Sequence, residues 1–327
     1  MLSLTKLKKI IMASPIVRST IGTSGIFAAK LGVQAGTLVI LARLLGAEQF
    51  GMFAAITATA VILGSITNLG FNILLLKEAS NSTEAKDEIL CYALPSILIA
   101  GFLAIFAFAG IVTFVFEYSF SRIEAVLSVG IAETIITPLI LLFASMHQAD
   151  RRIEFSQILI SLPIIMRFAI IVFLWWVEVD DYLYYFLCSY LFVGLISFAV
   201  AHYTSNERLP PLYRWRFPRM EDLQRGSSFA LLNFVYIATN EVDKVLAVKL
   251  VSPSAAGMYA AGMRVVGAIV LPVAALIVSA MPRLFRQEAG NNVLIKWVLT
   301  SSAIYGAFVM LLIWSGSDVF EVCLLYT

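Results

Sequence analysis

The sequence predicts an all-α protein threaded repeatedly through a membrane. Three observations carry that reading. Hydrophobic residues make up 60% of the chain and charged residues 13%, against roughly half and a quarter in an ordinary soluble domain. The apolar residues come in blocks of about twenty, the length that crosses a hydrocarbon core ~30 Å thick. Those blocks are too long for membrane strands and lack their two-residue alternation.

Nine spans follow, at roughly 21–45, 51–76, 91–116, 122–146, 155–177, 182–202, 227–250, 257–280 and 296–315. Ahead of the first, "MLSLTKLKKIIMASPIV" sets Leu4, Leu7 and Ile11 on one helical face beside Lys6, Lys8 and Lys9. That suits a short helix on an anionic membrane surface, with a solvated tail as the other reading. It is no secretory signal, because Ser14-Pro15 and then Arg18 interrupt the apolar run. The turns "GAEQF", "EVDD" and "VSPSAA" close the first, fifth and seventh spans. The sixth and seventh are joined by a longer linker that includes "RLPPLYRWRFPRMEDLQRG". Its interleaved Arg214, Trp215, Arg216 and Phe217 read as an aromatic-basic interfacial anchor beside the bilayer rather than a nucleic-acid surface. Cys91, Cys188 and Cys323 stand at unrelated spacings and read as buried structural thiols.

Basic residues set the orientation. With the N-terminus inside, sixteen of the 23 Lys and Arg fall in inner segments and only Arg122 in an outer loop. The positive-inside rule therefore puts the N-terminus in the cytoplasm.

The stretch "ARLLGAEQFGMFAA" at Ala42–Ala55 returns as "VKLVSPSAAGMYAA" at Val248–Ala261, 206 residues on and without a gap. Gly51, Met52, Phe53, Ala54 and Ala55 match Gly257, Met258, Tyr259, Ala260 and Ala261, and Gln34 matches Asn240. The copies begin in the first and seventh spans. Six spans separate them, an even number, so both point the same way through the membrane. Parallel repeats of this kind are related by an axis along the membrane normal. The organisation expected is a six-helix lobe over 1–205, a linker over 206–226, and a partial second lobe of three helices over 227–327. A complete second lobe needs three more spans, so a fragment is expected.

"LARLLGAEQFGMFAAITATAVILGSITNLGFNILLLKEAS" resembles the opening of the O-antigen and lipid-linked oligosaccharide flippases. These belong to the multidrug, oligosaccharidyl-lipid and polysaccharide exporter superfamily. Ala42, Arg43, Leu45, Gly46, Gly51, Phe53, Ala54, Leu69, Gly70, Lys77 and Glu78 carry that likeness. "NEVDKVLAVKLVSPSAAGMYAAGMRVVGAIVLPVAALIVSAMPRLFRQ" is similar to the family's seventh and eighth helices, through Asp243, Gly257, Tyr259, Arg264, Pro272, Pro282 and Arg283. Val251 departs from the glycine usual in the second turn. In the full family two parallel-repeat six-helix lobes form the fold; this chain supplies nine helices, the first lobe complete and the second partial. The resemblance implies an exporter in the bacterial inner membrane, with polysaccharide assembly proteins as company.

Ionisable groups inside a bilayer cost about 2.5–3.5 kcal/mol each on insertion scales and so point to sites. Glu133 and Arg167 lie near the middles of consecutive spans and can pair, or Glu133 can serve as a coupling or gating acid. Glu241 and Lys244, three apart, can pair on one helix. Asp243 points elsewhere, and the resemblance makes it a gating contact. Lys30 and Arg264, one in each half, have no local partner in the sequence. Together with Arg167 they form the candidate cationic cavity for a phosphorylated head group. Gln34, Asn68, Asn72 and Asn240 are candidate polar contacts between helices. No cofactor or metal site is expected, and a coupling H+ or Na+ is left open.

The substrate class expected is a polyprenyl-diphosphate-linked oligosaccharide, moved between leaflets by alternating access. A drug or cation antiporter is the runner-up. A polymerase or ligase is disfavoured by the short outer loops. His147 and His202 also stand at inner span ends without metal-ligand spacing.

Overall fold

The computed structural model of the 327-residue chain describes residues 15–80, 84–114, 122–205, 210–285 and 291–315. Lys6, Lys8 and Lys9, with the surface helix expected of them, and Cys323 lie outside the described residues. Within those residues the elements are all helices: α1 (Pro15–Thr67), α2 (Phe71–Ala79), α3 (Glu84–Phe114), α4 (Ile123–Ile131), a π-helical turn (Ala132–Ile136), α5 (Thr137–Ala149), α6 (Ile153–Val177), α7 (Tyr182–Thr204), a 3-10 turn (Leu212–Arg214), α8 (Met220–Leu250), α9 (Pro253–Phe285) and α10 (Asn291–Ser315). Among the described residues, six helical stretches are long and apolar enough to cross a membrane. Large apolar side chains face outward, Phe102, Phe106 and Trp176 among them at 59%, 63% and 80% exposure. Such a surface suits lipid and not water, so the chain is a multi-pass membrane protein.

The first two spans are one helical run, broken only at Gly46, whose φ of 71° and ψ of 170° lie outside the helical region. The five-residue turn expected at 46–50 shrinks to that one glycine.

The second span is not continuous, contrary to the sequence reading. It stops at Thr67, and α2 begins at Phe71. Leu69 and Gly70 between them take left-handed φ values of 51° and 74°. Asn68 closes the break. Its backbone oxygen accepts from Phe71 N–H at 3.0 Å, and its Oδ1 accepts from Asn72 N–H at 3.1 Å. Its Nδ2 donates to the Pro138 carbonyl at 3.4 Å. An asparagine beside a left-handed glycine is the chemistry a helix restart needs.

The fourth span is also irregular. Pro138 has no N–H, so the Thr134 carbonyl loses its ordinary helical donor. The helix widens into the π turn just before this proline, and the Thr67 hydroxyl donates to Thr134 O at 2.8 Å. Broken second span and bulged fourth span thus satisfy each other. Thr67→Val should leave that buried carbonyl unpaired and lower stability by about 1–3 kcal/mol. A melting curve of the detergent-solubilised protein checks this; an unchanged midpoint would count against the bond.

Pro95 repeats the pattern in α3. The Cys91 carbonyl, four residues back, accepts instead from the backbone N–H of Arg216 in the linker, at 3.0 Å. The Arg216 guanidinium then pairs with Asp222 at 2.7 Å and Glu88 at 3.2 Å, and lies 4.6 Å from the Tyr92 ring centroid. Arg225 of α8 pairs with Glu78 at 2.8 Å. The linker is therefore docked on the helices that precede it. Burial pushes the Asp222 carboxyl up, but hydrogen bonds from the Arg216 side chain and the Arg219 N–H outweigh it and hold the pKa below its ordinary value. A lowered carboxyl pKa stabilises above the unfolded value of about 3.9 and ceases to do so as pH falls through the folded value. Hydrogen exchange across 212–219 should rise on acidification below about pH 4, and Asp222→Asn should remove that dependence.

Two apolar clusters stack along the helices. One gathers Leu41, Phe53, Val129, Phe186 and Tyr190 near the Gly46 end. The other gathers Phe71, Tyr92, Ile97, Phe143 and Leu159 towards the opposite ends. Glu133 sits at the seam between Ala132 of the first and Ile136 of the second.

The two copies of the repeat meet. A Cβ on Gly51 would overlap the Pro253 carbonyl oxygen, and one on Gly257 would lie 2.6 Å from the Ala47 oxygen. The 206-residue offset turns Gly51 into Gly257 and Ala47 into Pro253. The contact is reciprocal, as a two-fold relation between the copies requires.

Candidate functional site

A cavity of about 360 Å³ lies between helices from before and after the linker. α1 gives it two faces. Lys30, Gln34, Thr37, Leu38 and Leu41 line it from the first arm, and Phe50, Phe53, Ala54, Thr57 and Val61 from the second. Both sets recur every three to four residues, the spacing of one helical face. Glu133 and Thr137 come from the fourth span, Pro163 and Arg167 from α6, and Phe186 and Tyr190 from α7. Glu241 and Lys244 of α8 and Ala260 of α9 complete the wall. Two duplicated positions, Ala54 and Ala260, therefore face the same space.

Arg167 and Glu133 pair at 3.0 Å, with their side chains 12% and 10% exposed. The π turn carries Glu133 to the seam, where Thr137 Oγ1 donates to its second carboxylate oxygen at 3.1 Å. The Tyr190 ring centroid lies 3.6 Å from the guanidinium carbon, a cation–π contact that shields one face of the cation. Arg167 Nε is buried without a hydrogen-bond partner. In α8 the Lys244 ammonium donates to Glu241 at 2.6 Å and to the Asn240 carbonyl at 3.0 Å.

The cavity is therefore not purely cationic. Lys30, Arg167 and Lys244 face Glu133 and Glu241, three cations against two carboxylates. Each of the two carboxylates pairs with an arginine or lysine of the wall. The backbone of Arg264 belongs to α9, but its side chain lies outside the described residues.

The other expected sites fall as follows. Gln34 lines the cavity. Asn68 and Asn72 stand at the break, where Asn68 makes the contact to Pro138. Asn240 is exposed, and its Nδ2 donates to Tyr236 O of its own helix at 2.6 Å. Asp243 does not line the cavity; it accepts from the Tyr259 hydroxyl at 2.6 Å and so ties α8 to α9. Sequence reasoning missed Thr37, Thr57, Thr137 and Tyr190. Polar residues at helical spacing around Lys30 and Gln34 were the available signal. Among the described residues no cluster of His, Cys, Asp and Glu could hold a metal ion.

A model of a family described as polysaccharide biosynthesis protein matches residues 16–288. The chain belongs to that family. Among solved structures, this polysaccharide biosynthesis protein is similar to "Crystal structure of MATE in complex with MaD3S", with a TM-score of 0.68. The identity is 10%, over 95% of this chain and 74% of that one. At that identity the likeness speaks for the fold alone, an all-α membrane-protein fold. No curated protein matches. The family description connects this multi-pass membrane protein to polysaccharide biosynthesis.

Proposed function

We propose that the protein moves a polyprenyl-diphosphate-linked oligosaccharide from the inner to the outer leaflet of a bacterial cytoplasmic membrane. The N-terminus faces the cytoplasm. One observation supports the reading: the described lining of a cavity between the two repeat copies carries three basic side chains, Lys30, Arg167 and Lys244, beside two carboxylates, Glu133 and Glu241. Such a site favours an anion. Lys30 acts as a compact charge on phosphate oxygens, and Arg264 and Arg167 offer guanidinium forks. About 360 Å³ is within the range of small-ligand sites, so it suits a diphosphate and the nearest sugar, while the lipid tail stays in the bilayer.

The reciprocal Gly51 and Gly257 contact supports alternating access, in which the two copies rock against each other about their two-fold axis. An inside-negative potential assists an outward-moving anion by about 2.3 kcal/mol per charge per 100 mV. Lys30→Ala and Arg264→Ala should each abolish surface glycan without lowering protein level. Normal display in both variants would remove the assignment.

A drug or cation antiporter is the second reading, favoured by the presence of Glu133 and Glu241 in the wall. Loss of drug resistance on deletion, with surface glycan intact, would select it.

A further inference from the structure

We infer that the linker between the sixth and seventh spans is a rigid ledge that binds the anionic surface of the bilayer. Two of its four central residues are turned inward and fixed. Trp215 Nε1 donates to the Pro210 carbonyl at 2.9 Å, and Arg216 is held by Cys91 O, Glu88 and Asp222. With these pinned, the side chains on the other side are forced outward. Leu212, Tyr213 and Phe217 are 75%, 86% and 78% exposed, and Arg214 and Arg219 are exposed between them. Among the described residues from 210 to 222, Glu221 is the exposed acid; Asp222 and Glu88 are engaged by Arg216.

The position of the ledge decides its partner. Cys91 lies five residues into the candidate membrane-spanning helix Lys86–Phe114, roughly 7 Å along the helix axis at 1.5 Å per residue. A linker bonded there runs at the depth of lipid head groups. Aromatic rings flanked by arginines are the side chains that settle at that depth: rings at the acyl boundary, guanidinium groups on phosphates. The surface is too apolar for water, and its described residues from 210 to 222 present two exposed cations, Arg214 and Arg219, against one exposed acid, Glu221, so it fits an anionic leaflet better than a neutral one. Because Arg216 also ties the linker to α3 and α8, lipid held here bears directly on the joint between the two halves.

The test places a single reporter on the ledge. Tyr213→Cys, in protein whose native cysteines are replaced by serine, is labelled with an environment-sensitive nitrobenzoxadiazole. It is then reconstituted into nanodiscs of phosphatidylcholine alone or with phosphatidylglycerol added. A second reporter at Phe217→Cys guards against misfolding at the first. The expected result is blue-shifted emission, quenched by doxyl-labelled lipid, and stronger with phosphatidylglycerol. Arg214→Gln with Arg219→Gln should abolish the phosphatidylglycerol increment. Water-like emission in both lipids would overturn the inference and leave the ledge as a protein-binding surface. So would a blue shift indifferent to phosphatidylglycerol.

Discussion

Arg167→Ala lowers the stability of the protein by about 3–5 kcal/mol, the cost of leaving one member of a buried ion pair alone. The Glu133 carboxylate would keep only the Thr137 hydroxyl, in a site where its side chain is 10% exposed. Glu133→Gln should be milder, because an amide oxygen still accepts from Arg167. The double variant Glu133→Gln with Arg167→Met should recover much of the loss, since an uncharged pair of similar volume needs no desolvated charge. Thermal unfolding of the four proteins in one detergent makes the comparison. If Arg167→Ala melted like the natural protein, the pair would not be buried as described. Glycan display would separate this structural effect from a role in transport: the double variant should be stable and yet defective.

Gly51→Ala and Gly257→Ala are the second large expectation. Each methyl would enter backbone of the other repeat copy, and overpacking a tight contact costs about 1–3 kcal/mol or more. Backbone atoms cannot rotate aside as a side-chain tip can, so the upper end applies to Gly51. Gly32 sits on the same helix, and a methyl added there would meet nothing within 4 Å. Gly32→Ala should therefore be neutral or slightly stabilising through helix propensity. Surface glycan and melting temperature, read together, should fall at 51 and 257 and hold at 32. Equal tolerance at all three positions would contradict the reciprocal contact.

Much of this architecture was legible in the chain. Span lengths follow from apolar runs, which a bilayer enforces without reference to neighbours. The proximity of Glu133 and Arg167 follows from their depth in consecutive spans. The bond between Glu241 and Lys244 is local, set by their spacing on one helix. The repeat pointed to the Gly51 and Gly257 region, although only the fold brings the two copies into contact.

What escaped was non-helical backbone inside the membrane. A hydropathy run does not register a break such as Asn68-Leu69-Gly70, because Leu69 and Gly70 keep the stretch apolar while their φ values end the helix. The π turn and the linker dock escaped for one shared reason. Pro138 and Pro95 each free a carbonyl four residues earlier, and its new partner is distant in sequence: Thr67 for Thr134, Arg216 for Cys91. Asking where each proline-freed carbonyl finds its donor would have marked both places, though not the donors. Thr57, Thr137 and Tyr190 needed the fold itself, since each bonds or stacks in a way common to ordinary helix cores.

Binding of a polyprenyl diphosphate to the purified protein in nanodiscs, set against the uncharged polyprenol and a lipophilic cation such as tetraphenylphosphonium, tests the anion-selective cavity most directly. The diphosphate should bind and the other two should not compete. Lys30→Gln should weaken it about tenfold or more, since a hydrogen bond to a charged group is worth about 1.5–3 kcal/mol and tenfold corresponds to about 1.4 kcal/mol. Tight binding of the cation, with the diphosphate bound no better than the polyprenol and unaffected by Lys30→Gln, would contradict the account.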